Sequence, residues 1–279
     1  MKFTWPNNTK CVVTLNFEYD AESVEMGFTG RIHGGHDYGA FSANYGVPRV
    51  LELLSKYGIK STFFVPAWDA ERYPDNIREI VKEGHEVAAH GYLHEDFSKL
   101  SPEQEKEVFE KSHKILTDIT GIPPQGFRNG AYNTPLSPNT LSFVRDMGYI
   151  YDSSFLDDDL PYQVNIDGKP VNMVEMPWAW VLNDITFLVA ALHSAGLGGT
   201  GFVLPVRSVK WLLELWQDEF DSLYEEVGFF NLIIHPGEIG RESRLPLLDG
   251  IIRFIRGYPG VWFAKYNEIA ECCLKQLKK

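Results

Sequence analysis

The sequence predicts a parallel α/β fold closed into a barrel, and three observations carry that prediction. Short β-rich runs alternate with amphipathic helical runs along the whole chain. The connections between them are short, and six or more such units favour a barrel over an open sheet. With 279 residues, 44% of them hydrophobic, the chain can bury one large core, so residues 1–279 are expected to form a single domain.

The elements follow in order. CVVTLNF (11–17) is a continuous β-rich run suited to a buried strand, and its end carries Glu18, Asp20 and Glu22. Residues 23–44, rich in glycine and turn formers, read as a long surface loop or lid, with His33, His36 and Asp37 as lid residues. VPRVLELLSKYG (47–58) has helical spacing and stops at a glycine, STFFVP (61–66) is strand-like, DNIREIVKEG (75–84) is a helix, and HEVAAHG (85–91) is the next strand. Ser101 with Gln104 three residues later gives a capping box that opens a helix running to Gly121. GFRNG (126–130) and YIYDSS (149–154) are short strands flanking a helix at 137–148. A helix across 207–227, the strand FFNLIIH (229–235), a helix near 245–257, the run GVWFA (260–264) and a last helix from about 266 complete the alternation.

Charge and cysteines narrow the function. Lys+Arg number 26 against 38 Asp+Glu, and a net charge of −12 repels phosphate backbones and anionic lipid, so no nucleic-acid or membrane partner is expected. Cys11 and the adjacent Cys272 and Cys273 form neither a disulfide framework nor a cysteine-based zinc site. Together with the absence of an apolar h-region after MKFTWPNNTK, this gives a cytoplasmic expectation.

In α/β barrels the functional side chains sit at the C-terminal ends of strands. Asp20 follows the first strand run, His90 ends the third, and His94 lies one turn further on. Two imidazoles and a carboxylate with open positions suit a catalytic divalent metal. A lone HxxxH pair is more often surface or capping histidine, but strand-end placement opposite the acids reverses those odds. Trp178 and Trp180 alternate as on a strand and are candidate substrate-stacking residues, although core roles are commoner for tryptophan. Asp152 is a candidate for rim hydrogen bonding or substrate contact.

NFEYDAE (16–22), HGYLH (90–94), GFRNGAY (126–132), YDSS (151–154) and IIHPG (233–237), in this order, resemble the polysaccharide deacetylase family, also called the NodB-homology or carbohydrate esterase family 4 group. The resemblance is nearest to its branch of peptidoglycan deacetylase-like proteins, cyclic imidases and metal-independent allantoinases. MVEMPWAWVLND (173–184) and the WQDEFDSLYEE helix (216–226) extend the likeness over nearly the whole chain. It implies a distorted (β/α) barrel of about seven parallel strands. It further implies Asp20, His90 and His94 as ligands of one divalent transition metal, zinc first, with cobalt, manganese and nickel also fitting such a set. It makes Glu18 the general base, Arg128 its orienting partner and His235 the general acid, and it adds Tyr132 as a candidate substrate contact.

Glu18 stands where the family usually has aspartate. Its extra methylene requires the backbone to sit about 1 Å further back, a displacement that can cost ~100-fold in rate. Gly130 and Asn133 also depart from the proline and acidic residue more usual there. The expected function is a metal-dependent hydrolase of amide C–N bonds, a de-N-acetylase of N-acetylated sugars. Hydrolysis of small cyclic imides or ureides is the alternative, and a non-catalytic carbohydrate-binding homologue the third reading. The branch resemblance also implies a homo-oligomer.

Overall fold

A computed structural model describes residues 3–32, 38–130, 135–188 and 206–278. Among them one sheet contains Cys11–Glu18 (β1), Thr62–Val65 (β2), Glu86–Ala89 (β3), Gly126–Phe127 (β4), Tyr151–Asp152 (β5), Tyr162–Ile166 (β6), Lys169–Glu175 (β7), Phe229–Ile234 (β8) and Val261–Phe263 (β9). The order is β6-β7-β5-β4-β3-β2-β1-β8, with β9 also on β1. Strand β2 pairs with the end of β1 and β9 with its start. Every pairing is parallel except the β6–β7 hairpin. A parallel bridge between Asn183 and Ile233 links the segment after β7 to β8, so the curled sheet returns on itself as a distorted (β/α) barrel.

All eight residues of β1 are buried, as a strand covered on both faces requires. The strand period then sorts its side chains. Val13, Leu15 and Phe17 join the larger core with helix residues such as Val50, Leu54 and Ile252, whereas Val12 belongs to a second core with Phe64, Tyr151 and Tyr266. Thr14, Asn16 and Glu18 share the Val12 face, so the strand delivers Glu18 to the barrel interior at its C-terminal end.

Helix limits follow their caps. Ser101 and Gln104 form the expected capping box ahead of Pro102–Thr120, which ends at Gly121 in the left-handed conformation. Val209–Glu226 and Tyr266–Leu277 cover the positions read as helices.

Three expectations need correction. The 23–44 region is not one long loop: Ser23–Thr29 is a helix, and Tyr38–Phe41 leads through a π-turn at Ser42–Gly46 into the helix Val47–Tyr57. Two of its glycines, Gly27 and Gly39, reflect close packing rather than freedom. A Cβ on Gly39 would stand 2.4 Å from the Ala21 carbonyl carbon and the Glu22 nitrogen. His33, His36 and Asp37 lie outside the described residues. The β6–β7 hairpin was not anticipated, although Asp167-Gly168, with φ 51° and 73°, is a strong two-residue hairpin signal. Trp178 and Trp180 do not alternate on a strand, because β7 stops at Glu175, Pro177 offers no N–H to extend it, and Trp180–Leu182 forms a 3-10 turn. Among the described residues no helix is long and apolar enough to cross a membrane.

Candidate active site

Glu18 ends β1, and the chain turns sharply after it. Asp20 adopts φ 24° and His94 φ 56°, two of the few non-glycine residues with positive φ, and such sparsely populated backbone gathers at functional sites. His90 follows β3, Arg128 follows β4 and His235 follows β8. The barrel thus brings Glu18, Asp20, His90, His94, Arg128 and His235 into one buried cluster.

His94 Nε2 lies 3.0 Å from Asp20 Oδ1, and His90 Nε2 lies 3.7 Å from the same oxygen. Two ligands at about 2.0–2.1 Å from a tetrahedral ion stand roughly 3.4 Å apart, so these spacings bracket what a metal needs. The Nδ1–H of His90 donates to the Arg128 carbonyl at 2.9 Å, which leaves Nε2 as a lone pair, buried and without a hydrogen-bond partner. That orphaned acceptor faces the Glu18 and Asp20 carboxylates and fits a cation. Glu18, Asp20 and His235 form a second close group. The donor chemistry disfavours it, because His235 Nδ1 contacts Asp184 Oδ1 at 2.7 Å and Nε2 contacts Glu18 Oε2 at 3.0 Å, so both ring nitrogens face carboxylates.

Asp184 was not singled out in the sequence. It reaches the site because its N–H donates to Ile233 O beside the Asn183–Ile233 bridge, and its Oδ2 accepts from the His235 N–H at 2.9 Å. No spacing rule links positions 184 and 235; the strand bridge makes them neighbours.

Arg128 is fully buried, and all its donors are used. Nη1 donates to Glu18 Oε1 at 3.0 Å and to Asn16 Oδ1, Nη2 to Ser153 Oγ and Tyr266 OH, and Nε to Ser153 O, while the guanidinium lies 4.2 Å above the Phe64 ring. Asn231 completes this floor by accepting from Asn16 and Tyr266. Asn16 and Asn231 were missed, although each is a polar residue inside an otherwise apolar strand run, a pattern that calls for a buried partner.

The electrostatics follow from these contacts. Burial alone would raise the Glu18 carboxyl, but the His235, His90 and Arg128 partners outweigh it and hold it below its ordinary value. Asp20 is likewise held low against burial, chiefly by His94. Burial pushes His90 down to about 4. His235 moves the other way, because Asp184 and Glu18 overcome burial and carry it well above the usual imidazole value.

The remaining candidates lie around this cluster. Asp152, buried at the end of β5, accepts from the Ser154 N–H and Oγ; burial lifts its carboxyl to about 6. Ser154 also accepts from the Asn129 N–H. A cleft of about 550 Å³ opens beside Asn129, lined by Leu136, Leu141, Phe155, Leu156 and Trp178 among others. Trp178 packs edge-on to Trp180 with ring centroids 4.8 Å apart, and Trp180 is not part of the cleft lining. Tyr132 lies outside the described residues.

Comparison with known proteins places this geometry in a family. The polysaccharide deacetylase family model matches residues 35–151. A peptidoglycan deacetylase of Helicobacter pylori is 30% identical over 291 residues, covering 95% of this chain and 97% of its own. A peptidoglycan deacetylase-like protein of Gibberella zeae is 29% identical, covering 92% and 85%. Among solved structures, a polysaccharide deacetylase from Mycobacterium smegmatis superimposes with a TM-score of 0.88 at 29% identity, over 100% of this chain and 95% of that one. The Puue allantoinase superimposes with a TM-score of 0.78 at 28% identity, over 96% and 91%. On this sequence and fold similarity, the chain belongs to the polysaccharide deacetylase family and, like its deacetylase homologues, is a hydrolase of carbon–nitrogen bonds other than peptide bonds.

Proposed function

We propose that the protein is a metal-dependent amide hydrolase that removes acetyl groups from N-acetylated sugars. The observation that carries this reading is His90, whose Nδ1 is tied to the Arg128 carbonyl while its buried Nε2, free of any hydrogen bond, faces two carboxylates. Asp20, His90 and His94 would hold the divalent ion, zinc in the first instance. When bound, such an ion supplies a Lewis acid that lowers the pKa of water and draws charge from a carbonyl oxygen.

The chain's own residues divide the proton transfers. Glu18, kept ionised by Arg128 and His235, takes the proton of the attacking water. Its longer side chain spans the distance to both partners at 3.0 Å, so the departure from aspartate is accommodated by the cluster. His235, kept protonated by Asp184 and Glu18, gives its proton to the departing nitrogen, and the cleft beside Asn129 receives the sugar.

Two expected results arise here. Asp184→Asn removes the main group that raises His235, so the acid loses its proton at lower pH. The alkaline limb of the kcat/KM profile moves down by about a unit or more, and kcat falls by about 10²-fold or more. An alkaline limb that stays in place would remove Asp184 from this role. Gly130→Ala places a Cβ 2.8 Å from His94 Cδ2. It is expected to displace that ring and weaken zinc affinity by about 10-fold or more, read by chelator competition.

Hydrolysis of a small cyclic imide or ureide is the second reading. It is favoured by the similarity to an allantoinase over nearly the whole chain and by the mainly apolar cleft lining. Acetate release from N-acetylglucosamine oligomers and peptidoglycan fragments, assayed beside ring opening of cyclic imides and ureides, decides between the two. Turnover of the sugars lost on chelation supports the first reading, and turnover of the rings alone supports the second.

A further inference from the structure

Asp69 is a buried carboxylate on the helix Ala67–Arg72, and no lysine or arginine pairs with it among the described residues. Its hydrogen bonds run to one short segment instead. Oδ2 accepts from the Ala21 N–H at 2.9 Å and from Ser23 Oγ at 2.5 Å, and Oδ1 accepts from the Ser23 N–H at 2.9 Å. That segment begins immediately after Asp20, whose φ of 24° is unfavourable for a residue with a side chain. The same turn is held on its other side: Gly39 packs against the Ala21–Glu22 backbone, and Ser42 Oγ donates to Tyr19 O at 3.0 Å.

We propose that Asp69 is a positioning residue for the metal centre, its carboxylate pinning the 21–23 backbone so that Asp20 stays in its strained conformation and faces His90 and His94. A strained residue persists only where its surroundings over-determine it, and a carboxylate can accept from all three donors at once, whereas an amide oxygen cannot serve both Oδ positions. The inference rests on the metal reading above.

The test titrates cobalt into metal-free wild type, Asp69→Asn and Glu105→Gln, followed by absorbance, with thermal unfolding of each. Glu105 is the control because it too is a buried carboxylate, accepting from Ser137 and Thr140 Oγ, but it contacts no part of the cluster. Asp69→Asn is expected to bind cobalt about 10-fold or more weakly, while Glu105→Gln stays within about twofold of wild type even if it melts lower. Equal affinity in Asp69→Asn and wild type overturns the inference, as does equal weakening in both variants. Should Asp69→Asn fail to fold, Ser23→Ala, which deletes only the Oγ donor, decides: several-fold weaker cobalt binding supports the inference and unchanged affinity overturns it. A wild type that takes up no cobalt overturns the metal reading and this inference together.

Discussion

Glu18→Gln is expected to leave the protein folded and able to bind metal while kcat falls by about 10³-fold. Glutamine keeps the shape of the side chain, and its carbonyl can still accept from Arg128 Nη1. It cannot take a proton from water, and its amide turns a donor toward His235 Nε2, where the carboxylate now accepts at 3.0 Å. His235 loses one of the two groups that raise it, so its pKa falls as well. Steady-state kinetics with a metal titration on the same sample checks the prediction. A fall in kcat of less than about 10-fold would mean that another group removes the proton.

Arg128→Met is expected to cost about 3–5 kcal/mol of stability, the usual consequence of removing one member of a buried ion pair. Methionine approximates the stem and can lie over Phe64, but it leaves the Glu18 carboxylate, Asn16 Oδ1 and the Ser153 carbonyl without the donors they now have. Arg128→Lys should recover little, because a single ammonium cannot serve Glu18, Ser153 and Tyr266 together. The variant also carries a pH signature. Glu18 is held below its ordinary value in the folded protein, so it stabilises the fold above its unfolded pKa, and that stabilisation is lost as pH falls through the folded value. Without Arg128 the folded pKa rises, the stabilisation shrinks, and the acid limb of activity moves to higher pH. Denaturant unfolding at several pH values, beside a pH–rate profile, reads both effects; unchanged midpoints would contradict the description of Arg128 as the floor of the site.

How much of this was legible in the sequence depends on the range of the interaction. The helix Pro102–Thr120 was marked at both ends by local chemistry, the Ser101–Gln104 box and Gly121, and β1 by its unbroken apolar run. Asp20, His90 and His94 stood out because the strand-end rule converts sequence position into spatial position for a parallel barrel. The rule failed where chain connectivity alone decides. Asp184 lies 51 positions from His235 and meets it only because the chain after β7 bridges to β8. Asp69 lies 48 positions from Ala21 and acts through backbone N–H groups, which no side-chain pattern announces. Glycines in 23–44 suggested a long surface loop or lid, whereas Gly39 is there because the Ala21–Glu22 backbone passes too close for a side chain. The Asp167-Gly168 hairpin was readable by its turn residues, in a stretch between 154 and 173 to which no element was assigned.

Metal content of the purified protein tests the central claim most directly, measured by elemental analysis on wild type beside Asp20→Ala and His90→Ala. The account predicts about one divalent transition metal per chain in the wild type and none in either variant, because the three buried donors converge on one point and each variant removes one of them. A wild type without metal after incubation with zinc or cobalt, or variants that retain a full equivalent, would contradict it.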